Sequence, residues 1–347
     1  TPMFTLFPYT TLFRSGTWIL FKFQENTTLG RDESRFAKLA DAKDYCKLHI
    51  ILHYVATLGP DIPIYTIGKV GNDDAGNNII KMMKQARINT DYIGVVEDVP
   101  TLYSVCFTYP DSDGGNITAC NSASNQVEKK DIDNFFEKIS DENVGLVLAA
   151  PEVPLEVREH LLLCGRKRGC FNTASFNSSE VPFCVDREML RYIDFLSINK
   201  DEMRTFMQEF GCKNIQDPYE CYLQMRKFNP HIIVVITWGK EGAFVFGEGQ
   251  KMKVPAIWKK AVNSAGAVDC YMGTLIAAFL KGIPIFDNSD GVGIAGLAAL
   301  ASSIKVECKD TIDTQITLER LLLCADALGI QFTRKIYHNF FGIERVY

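Results

Sequence analysis

Three short segments of this chain of 347 residues combine residue types that could carry out chemistry. The first, residues 262–273 (VNSAGAVDCYMG), places small residues ahead of an apolar helix, with Asp269 in the first turn. A turn that leads into a helix presents unpaired N–H groups and the positive end of the helix dipole, which can bind an anion. Asp269 could act there as a base or as a cap. Alternatively, Gly266 only turns the chain and Asp269 only complements the dipole.

The second segment, residues 198–202 (INKDE), follows an apolar stretch that is typical of a strand. Asn199 and Glu202 are three residues apart, so both side chains can face one side as a helix begins. An amide oxygen and a carboxylate could hold a hydrated Mg²⁺ close to phosphates. The alternative is a capping box, in which Asn199 caps the helix and Glu202 accepts from the backbone N–H of the cap.

The third segment, residues 237–243 (TWGKEGA), follows the apolar run IIVVI. Its two glycines permit a tight turn and a close approach of the backbone to a ligand. A plain hairpin turn explains the same residues equally well.

The elements that must position these segments alternate between strand and helix patterns over about 240 residues. Such alternation predicts crossover connections and a mainly parallel sheet with helices on both faces. We therefore predict one large α/β domain whose chemistry lies in loops at the carboxyl ends of the strands. Strand patterns with polar turns between residues 92 and 109 predict a small antiparallel flap on this domain.

Composition and charge argue against several classes of function. The chain has 37 Lys+Arg and 42 Asp+Glu, a formal net charge of −5, which is not that of a general nucleic-acid binder. Its longest apolar stretches are interrupted by residues such as Lys281 and Pro284, so we predict no transmembrane helix. The 11 cysteines are irregularly spaced, without a C-x-x-C pair, which is typical of reduced thiols in the cytoplasm. His49 and His53 are four residues apart, but no nearby acidic pair completes a zinc site.

Residues 5–15 (TLFPYTTLFRS) resemble, residue for residue, one reading frame of a widely used short-read sequencing adapter. We therefore predict that residues 1–15 are an artefactual segment and set them aside from fold reasoning. A natural apolar strand is the alternative. Residues 16–347 are then expected to form the single domain, with the strands of its flap within 16–30 and 92–120.

Taken together, the three segments resemble the ribokinase-like (PfkB) family of carbohydrate and nucleoside kinases. Members carry an N-x-x-E motif, then a T-x-G-x-x-G loop, then a signature similar to D-T-x-G-A-G-D. Residues 199–202, 237–242 and 263–269 stand here in that order, and residues 67–73 (IGKVGND) are similar to the family's I-G-K-V-G-D-D stretch. The resemblance covers about residues 56–305.

The resemblance implies a fold and an activity. The fold would be a three-layer α/β/α sandwich with a mainly parallel central sheet and a small β lid. The activity would be ATP-dependent transfer of the γ-phosphoryl group to a hydroxymethyl group of a sugar, nucleoside or related small molecule. The cofactors would be ATP and Mg²⁺, the location cytoplasmic, with no nucleic-acid or membrane partner and a homodimer formed through the lid.

The resemblance also implies roles for particular residues. Asp269 would be the catalytic base. Backbone amides would form an anion hole for the transferring phosphoryl group at Gly266, Ala267 and Val268. The nucleotide site would be lined by Thr237, Gly239, Gly242 and Asn199. Mg²⁺ would be held, through water, by Asn199 and Glu202.

The chain departs from the family pattern at several positions. Asn263 replaces the first signature Asp, and Val268 replaces the second glycine of G-A-G-D. The family's substrate-binding G-G-x-x-x-N falls on Tyr45, Cys46 and Ile50, and its N-terminal Asp has no clear counterpart. A catalytically impaired kinase-like protein, which binds nucleotide or partners without turnover, is therefore the alternative function. An NAD-dependent oxidoreductase is poorly supported, because no G-x-G-x-x-G follows an N-terminal strand.

Overall fold

A computed structural model of the protein describes residues 9–14, 16–44, 47–111, 114–139, 144–151 and 153–344. The strands within these ranges are β1 Tyr9–Arg14, β2 Gly16–Lys22, β3 Lys38–Asp44, β4 Ile64–Gly71, β5 Asn89–Val96, β6 Leu102–Thr108, β7 Gly114–Thr118, β8 Leu146–Ala149, β9 Phe171–Ala174, β10 Phe195–Asn199, β11 Ile233–Thr237, β12 Ala243–Gly247 and β13 Gln250–Val254. The α-helices are α1 Lys47–Leu58, α2 Asp74–Gln85, α3 Lys129–Lys138, α4 Leu155–Lys167, α5 Val181–Asp186, α6 Lys200–Glu209, α7 Pro218–Met225, α8 Ala267–Leu280, α9 Ile294–Lys305 and α10 Leu318–Ala327.

Nine of these strands form one sheet in the order β13-β12-β11-β10-β9-β8-β1-β4-β5. The seven strands from β11 to β5 are parallel, and β12 and β13 extend the sheet as an antiparallel hairpin. Runs of β-branched and other apolar residues explain the central strands, because both faces of a parallel sheet are buried. All five residues of β11, for example, are buried.

Two apolar cores cover the two faces of this sheet. In β8, Leu146 and Leu148 point into the core that contains α1, α8 and α9. Val147 and Ala149 point into the core of α3, α4 and α6. The alternation of side chains along each strand therefore produces three layers. The prediction of a three-layer α/β/α sandwich with a mainly parallel sheet is confirmed.

A separate four-stranded sheet, the lid, has the order β3-β2-β6-β7. Strands β2 and β6 are parallel, whereas β3 and β7 run antiparallel to their neighbours. β2 lies within residues 16–30, and β6 and β7 lie within 92–120. β3, outside both ranges, was missed because KLADAKD lacks the alternation of apolar and polar residues typical of a strand. β5 is the edge strand of the large sheet and not part of the lid.

β1, inside the segment that resembles an adapter, pairs with β4 and β8 in the centre of the large sheet. Tyr9 stands beside Ile64, and the parallel register continues to Arg14 beside Lys69. The origin of residues 1–15 stays a prediction. None of the described helices combines the length and apolarity needed to span a bilayer.

Candidate functional site

The carboxyl ends of β10 and β11 bring two of the three segments side by side. Asn199 and Thr237 are register partners on these parallel strands, each at the last residue of its strand. α6 begins directly after Asn199, and the turn that contains Gly239 and Gly242 begins directly after Thr237. The sheet itself therefore aligns the N-x-x-E segment with the glycine-rich turn.

Asn199 and Glu202 form a complete capping box at the start of α6. Oδ1 of Asn199 accepts hydrogen bonds from the N–H groups of Asp201 and Glu202, both at 2.9 Å. Oε2 of Glu202 accepts from the N–H of Asn199 at 2.8 Å. The capping box, the alternative interpretation of this segment, is therefore present at the start of α6. A carboxylate has about four acceptor sites, so Glu202 can bind a further donor or a hydrated cation in addition.

Residues 262–269, called here the anion loop, lead into α8. Gly266 adopts φ +79° at the N-cap, and no side chain caps the helix. The N–H of Ala267 donates to the carbonyl of Ser264 at 3.2 Å, so this amide already has a partner within the loop. Val268 and Asp269 lie in the first turn, where the helix provides no acceptor for their N–H groups. Of the three predicted anion-hole amides, Ala267 is therefore the least suited to receive a phosphoryl oxygen.

Asp269 is buried, with 9% of its surface exposed, and lies among other charges. Burial raises the pKa of its carboxyl, and the positive charges of Lys47 and Lys305 oppose that rise. Burial also raises the pKa of Glu202, which Lys47 again opposes and Asp269 reinforces. Asp269 and Glu202, which are 67 positions apart in the sequence, therefore lie close enough for their charges to interact.

Lys47, the first residue of α1, is a candidate site residue that the sequence did not single out. Burial alone would lower the pKa of its ammonium, but the negative charges of Glu202, Asp269 and Glu180 raise it. A cation whose charge acts on both Glu202 and Asp269 is suited to hold a polyphosphate or a transferring phosphoryl group. The only signal in the sequence was its place next to Cys46, within the expected glycine motif.

The glycine-rich turn carries an aromatic side chain on the same side as α6. The ammonium of Lys200 lies 4.6 Å from the centroid of the Trp238 ring. Gly242 adopts φ +100°, and a Cβ there would stand 2.0 Å from the carbonyl oxygen of Val254, so only glycine fits. A Cβ on Gly239 would have no atom within 4 Å, so this side of the turn is open.

The positions that correspond to the family's substrate-binding motif carry different residues here. Ile50, where the family has Asn, is buried in the apolar core with 6% of its surface exposed. Tyr45 and Cys46 lie outside the described residues. Arg158, whose charge acts on Lys47, is fully buried and forms an ion pair of 2.8 Å with Glu180. Because the charge of Glu180 acts on Lys47, this pair belongs to the same charged cluster.

Other titratable groups lie apart from this cluster. Burial lowers the pKa of His49 to about 3 and that of His53 to about 4, so both rings are neutral at ordinary pH. Within the described ranges, one group of His, Cys and carboxylate side chains is close enough to share a metal ion: Asp133, His160 and Cys164. It lies on α3 and α4, and Nε2 of His160 is already hydrogen-bonded to Asp133 at 2.7 Å.

Comparison of the sequence and of the fold with known proteins finds carbohydrate and nucleoside kinases in each case. The model of the pfkB family of carbohydrate kinases matches residues 51–318. A ribokinase of Lactococcus lactis is 24% identical over 256 residues, which are 73% of this chain and 75% of that protein. The fold resembles that of Arabidopsis thaliana ribokinase, solved with ribose and ATP, with a TM-score of 0.71 and 18% identity over 92% of this chain and 99% of that one. It also resembles a Burkholderia thailandensis nucleoside kinase in complex with inosine, with a TM-score of 0.72 and 15% identity over 93% and 99%.

Proposed function

Because the chain belongs to the pfkB family of carbohydrate kinases, we propose that it phosphorylates a hydroxymethyl group of a sugar or nucleoside with Asp269 as the base. The family makes it a kinase, with ATP and Mg²⁺ as cofactors. The observation that carries the residue assignment is the arrangement at the start of α8. There a buried carboxylate, two first-turn amides and the ammonium of Lys47 come together.

Asp269 would accept the proton of the substrate hydroxyl as that oxygen forms a bond to the γ-phosphorus of ATP and the bond to the bridging oxygen breaks, which releases ADP. Burial raises the pKa of its carboxyl, which makes it a stronger base than an exposed Asp. The positive charges of Lys47 and Lys305 act in the opposite direction and favour the ionised carboxylate. The proton thus moves from the alcohol oxygen to the Asp269 carboxylate.

The remaining residues would position the phosphates and stabilise charge. The N–H groups of Gly266, Val268 and Asp269, with the N-terminal dipole of α8, would stabilise the transferring group. Lys47 would neutralise phosphate oxygens next to it. When bound, Mg²⁺ supplies charge neutralisation between phosphates, and Glu202, with Asn199, would hold its water ligands.

The nucleotide would lie along the glycine-rich turn. Thr237, at the end of β11, would line the inner side of the nucleotide site. Gly239 would leave room for a ring or phosphate beside the backbone. Gly242 holds the turn against β13. Trp238 lies next to this space and is one of only three tryptophans, so its fluorescence can report on binding.

The test is ADP release with pentoses, deoxypentoses, hexoses and nucleosides as acceptors. We expect turnover with at least one acceptor, and its loss in Asp269→Asn with the fold retained, because Asn fits a helix N-terminus nearly as well as Asp. Turnover of Asp269→Asn within threefold of the parent would remove Asp269 from the role of base.

A second candidate function is nucleotide binding without turnover, which Val268 and Ile50 favour. In that case MgATP would raise the Tm, because a ligand that binds only the folded state stabilises it, while no acceptor would be phosphorylated. A Tm that stays flat through millimolar MgATP, together with no turnover, would contradict both candidates.

We also propose that two copies associate through the lid. Tyr103 and Val105 lie two residues apart on β6 and therefore share a face. Ile117, on the neighbouring strand β7, is the register partner of Val105. Ile117 is 70% exposed and Tyr103 41%, so this face presents apolar surface to solvent. Light scattering should give a dimer for the parent chain and a monomer for Ile117→Lys; a monomeric parent would contradict the proposal. The cytoplasmic location stays a prediction.

A further inference from the structure

The C-terminal end of α9 holds the anion loop from behind. Oγ of Ser302 donates to the carbonyl of Ala267 at 2.7 Å. The carbonyl of Val306, directly after the helix, accepts from the N–H groups of Val262 at 2.7 Å and of Asn263 at 3.1 Å. These bonds join the two ends of the loop to one rigid helix, so the position of the loop depends on α9.

Lys305, the last residue of α9, adds a charge to this contact. Its Nζ donates to the backbone carbonyl of Asn263 at 2.8 Å, and the residue has no exposed surface. Burial lowers the pKa of its ammonium. Four groups oppose that fall in pKa: Cys308 and Asp313, in the segment between α9 and α10, and Cys270 and Asp269, on α8. Within the described ranges, no carboxylate lies at ion-pair distance from Nζ.

Holding the loop does not require a charge at this place. The Asn263 side chain already anchors it, since Nδ2 donates to the carbonyl of Lys309 at 2.9 Å and Oδ1 accepts from Ala265 at 3.0 Å. Burying an ammonium without a carboxylate in contact is unfavourable, and an apolar side chain of similar length is often at least as stable. A structural role alone therefore gives no reason for Lys rather than Met at this position.

We propose that Lys305 is a positioning residue for phosphoryl transfer, whose buried ammonium fixes the Asn263 backbone and places a positive charge behind the anion loop. The charge would act through the loop on the anion in front of it and on the Asp269 carboxylate. This inference rests on the proposed kinase function. It assigns the loop a source of electrostatic stabilisation that none of the three sequence segments contains.

The central experiment compares Lys305→Met with the parent chain and with a control, Lys281→Met. Lys281 follows the last residue of α8, at the opposite end of that helix from Asp269. For Lys305→Met we expect kcat to fall about 10–100-fold, as when outer contacts of a site are lost, with KM for both substrates within threefold. The Tm should stay equal or rise. Lys281→Met should keep the parental kcat.

Two further measurements separate charge from packing. Affinity for MgADP should change little in Lys305→Met, whereas affinity for MgADP with aluminium fluoride, which mimics the transferring phosphoryl group, should fall by the same factor as kcat. In Lys305→Ala, added methylammonium should restore part of kcat by occupying the space of the lost side chain. Tetramethylammonium at the same ionic strength, which has no N–H donor, should not.

The outcomes distinguish this proposal from the kinase proposal. If folded Lys305→Met keeps kcat and analogue affinity within threefold of the parent, the role of Lys305 is overturned. If the parent binds the fluoride analogue but phosphorylates no acceptor, the kinase proposal fails, and the analogue affinities still decide the role of Lys305. If the parent binds neither MgADP nor the analogue, both proposals are overturned.

Discussion

A Cβ atom on Gly266 would stand 2.4 Å from the carbonyl oxygen of Thr311. No real Cβ approaches a backbone oxygen so closely, and Gly266 also adopts φ +79°, which side chains rarely tolerate. The segment after α9 therefore forms a wall against which the anion loop turns. Glycine at this position is required by the fold as well as by the chemistry in front of it.

We predict that Gly266→Ala lowers stability and activity together. Displacement of the loop should lower kcat by about 10²–10³-fold, the loss typical for one anion-hole donor. Backbone strain should lower the free energy of unfolding by about 1–3 kcal/mol. The matched control is Gly211→Ala, with φ +70° but no atom within 4 Å of the added Cβ. It should lose stability only, and equal losses of kcat in the two variants would contradict the prediction.

The sequence predicts those parts of the site whose residues lie close together along the chain. The segments at Asn199, Thr237 and Asp269 were recognisable because a strand end, a turn and a helix start each have a local pattern. The capping box is local in the same sense, since its two members are three residues apart. The fold class followed because alternating strands and helices permit few arrangements.

Lys47 and Lys305 could not be found in this way. Their charges act on Asp269 across the fold, whereas each lysine stands in a segment with the pattern of an ordinary apolar helix. β3 was missed for a related reason, because pairing with β2 and not its own composition makes residues 38–44 a strand. The assignment of β5 to the lid was wrong because an edge strand with many exposed residues resembles a flap.

We predict that Asn199→Ala affects both a helix cap and nucleotide binding. Loss of the cap should lower the free energy of unfolding by about 1 kcal/mol. The control is Asp217→Ala, which removes an equivalent cap from α7, where Asp217 accepts from Tyr219 and Glu220. Both variants should lose similar stability, but only Asn199→Ala should reduce the rise in Tm with MgATP. Equal responses to MgATP would limit Asn199 to the capping role.

We predict that Lys47→Met moves the acidic limb of the pH–rate profile to higher pH. Burial raises the pKa of Asp269, and Lys47 is the first of the charges that hold it down. Without that charge the carboxyl stays protonated to higher pH, and a protonated base cannot accept the substrate proton. kcat/KM measured across the acidic range checks this. A limb that stays in place, or moves down, would separate Lys47 from Asp269.

We predict that Asp269→Asn is more stable than the parent at neutral pH. A carboxyl whose folded pKa is raised binds its proton more tightly in the folded state, so the parent loses stability as pH rises through the folded pKa. Asn carries no charge and avoids that loss. The difference in Tm should therefore be largest near neutral pH and shrink as pH falls towards the ordinary pKa of Asp, 3.8. A parent more stable than Asp269→Asn at pH 7 would contradict the raised pKa.

The final prediction concerns Val268, the second residue of α8, where the family signature has glycine. Its amide lies in the first turn and has no acceptor within the helix, so a donor is present. In the proposed site its isopropyl group would crowd the transferring phosphoryl group. Val268→Gly should raise kcat by roughly 10–1,000-fold if one donor becomes usable. The Tm should fall slightly, because glycine is less favourable within a helix and gains freedom in the unfolded chain.

Val268→Ala distinguishes the two ways in which valine could impair the loop. If the two methyl groups only crowd the phosphoryl group, alanine should recover most of the gain, because it removes them and keeps a helical backbone. If the backbone must move to aim its amide, only glycine should recover activity. No gain in either variant, across pentoses, hexoses and nucleosides, would mean that Val268 does not limit turnover. The limiting defect would then lie on the sugar side, where Ile50 places an apolar side chain in the core and offers the substrate no polar group.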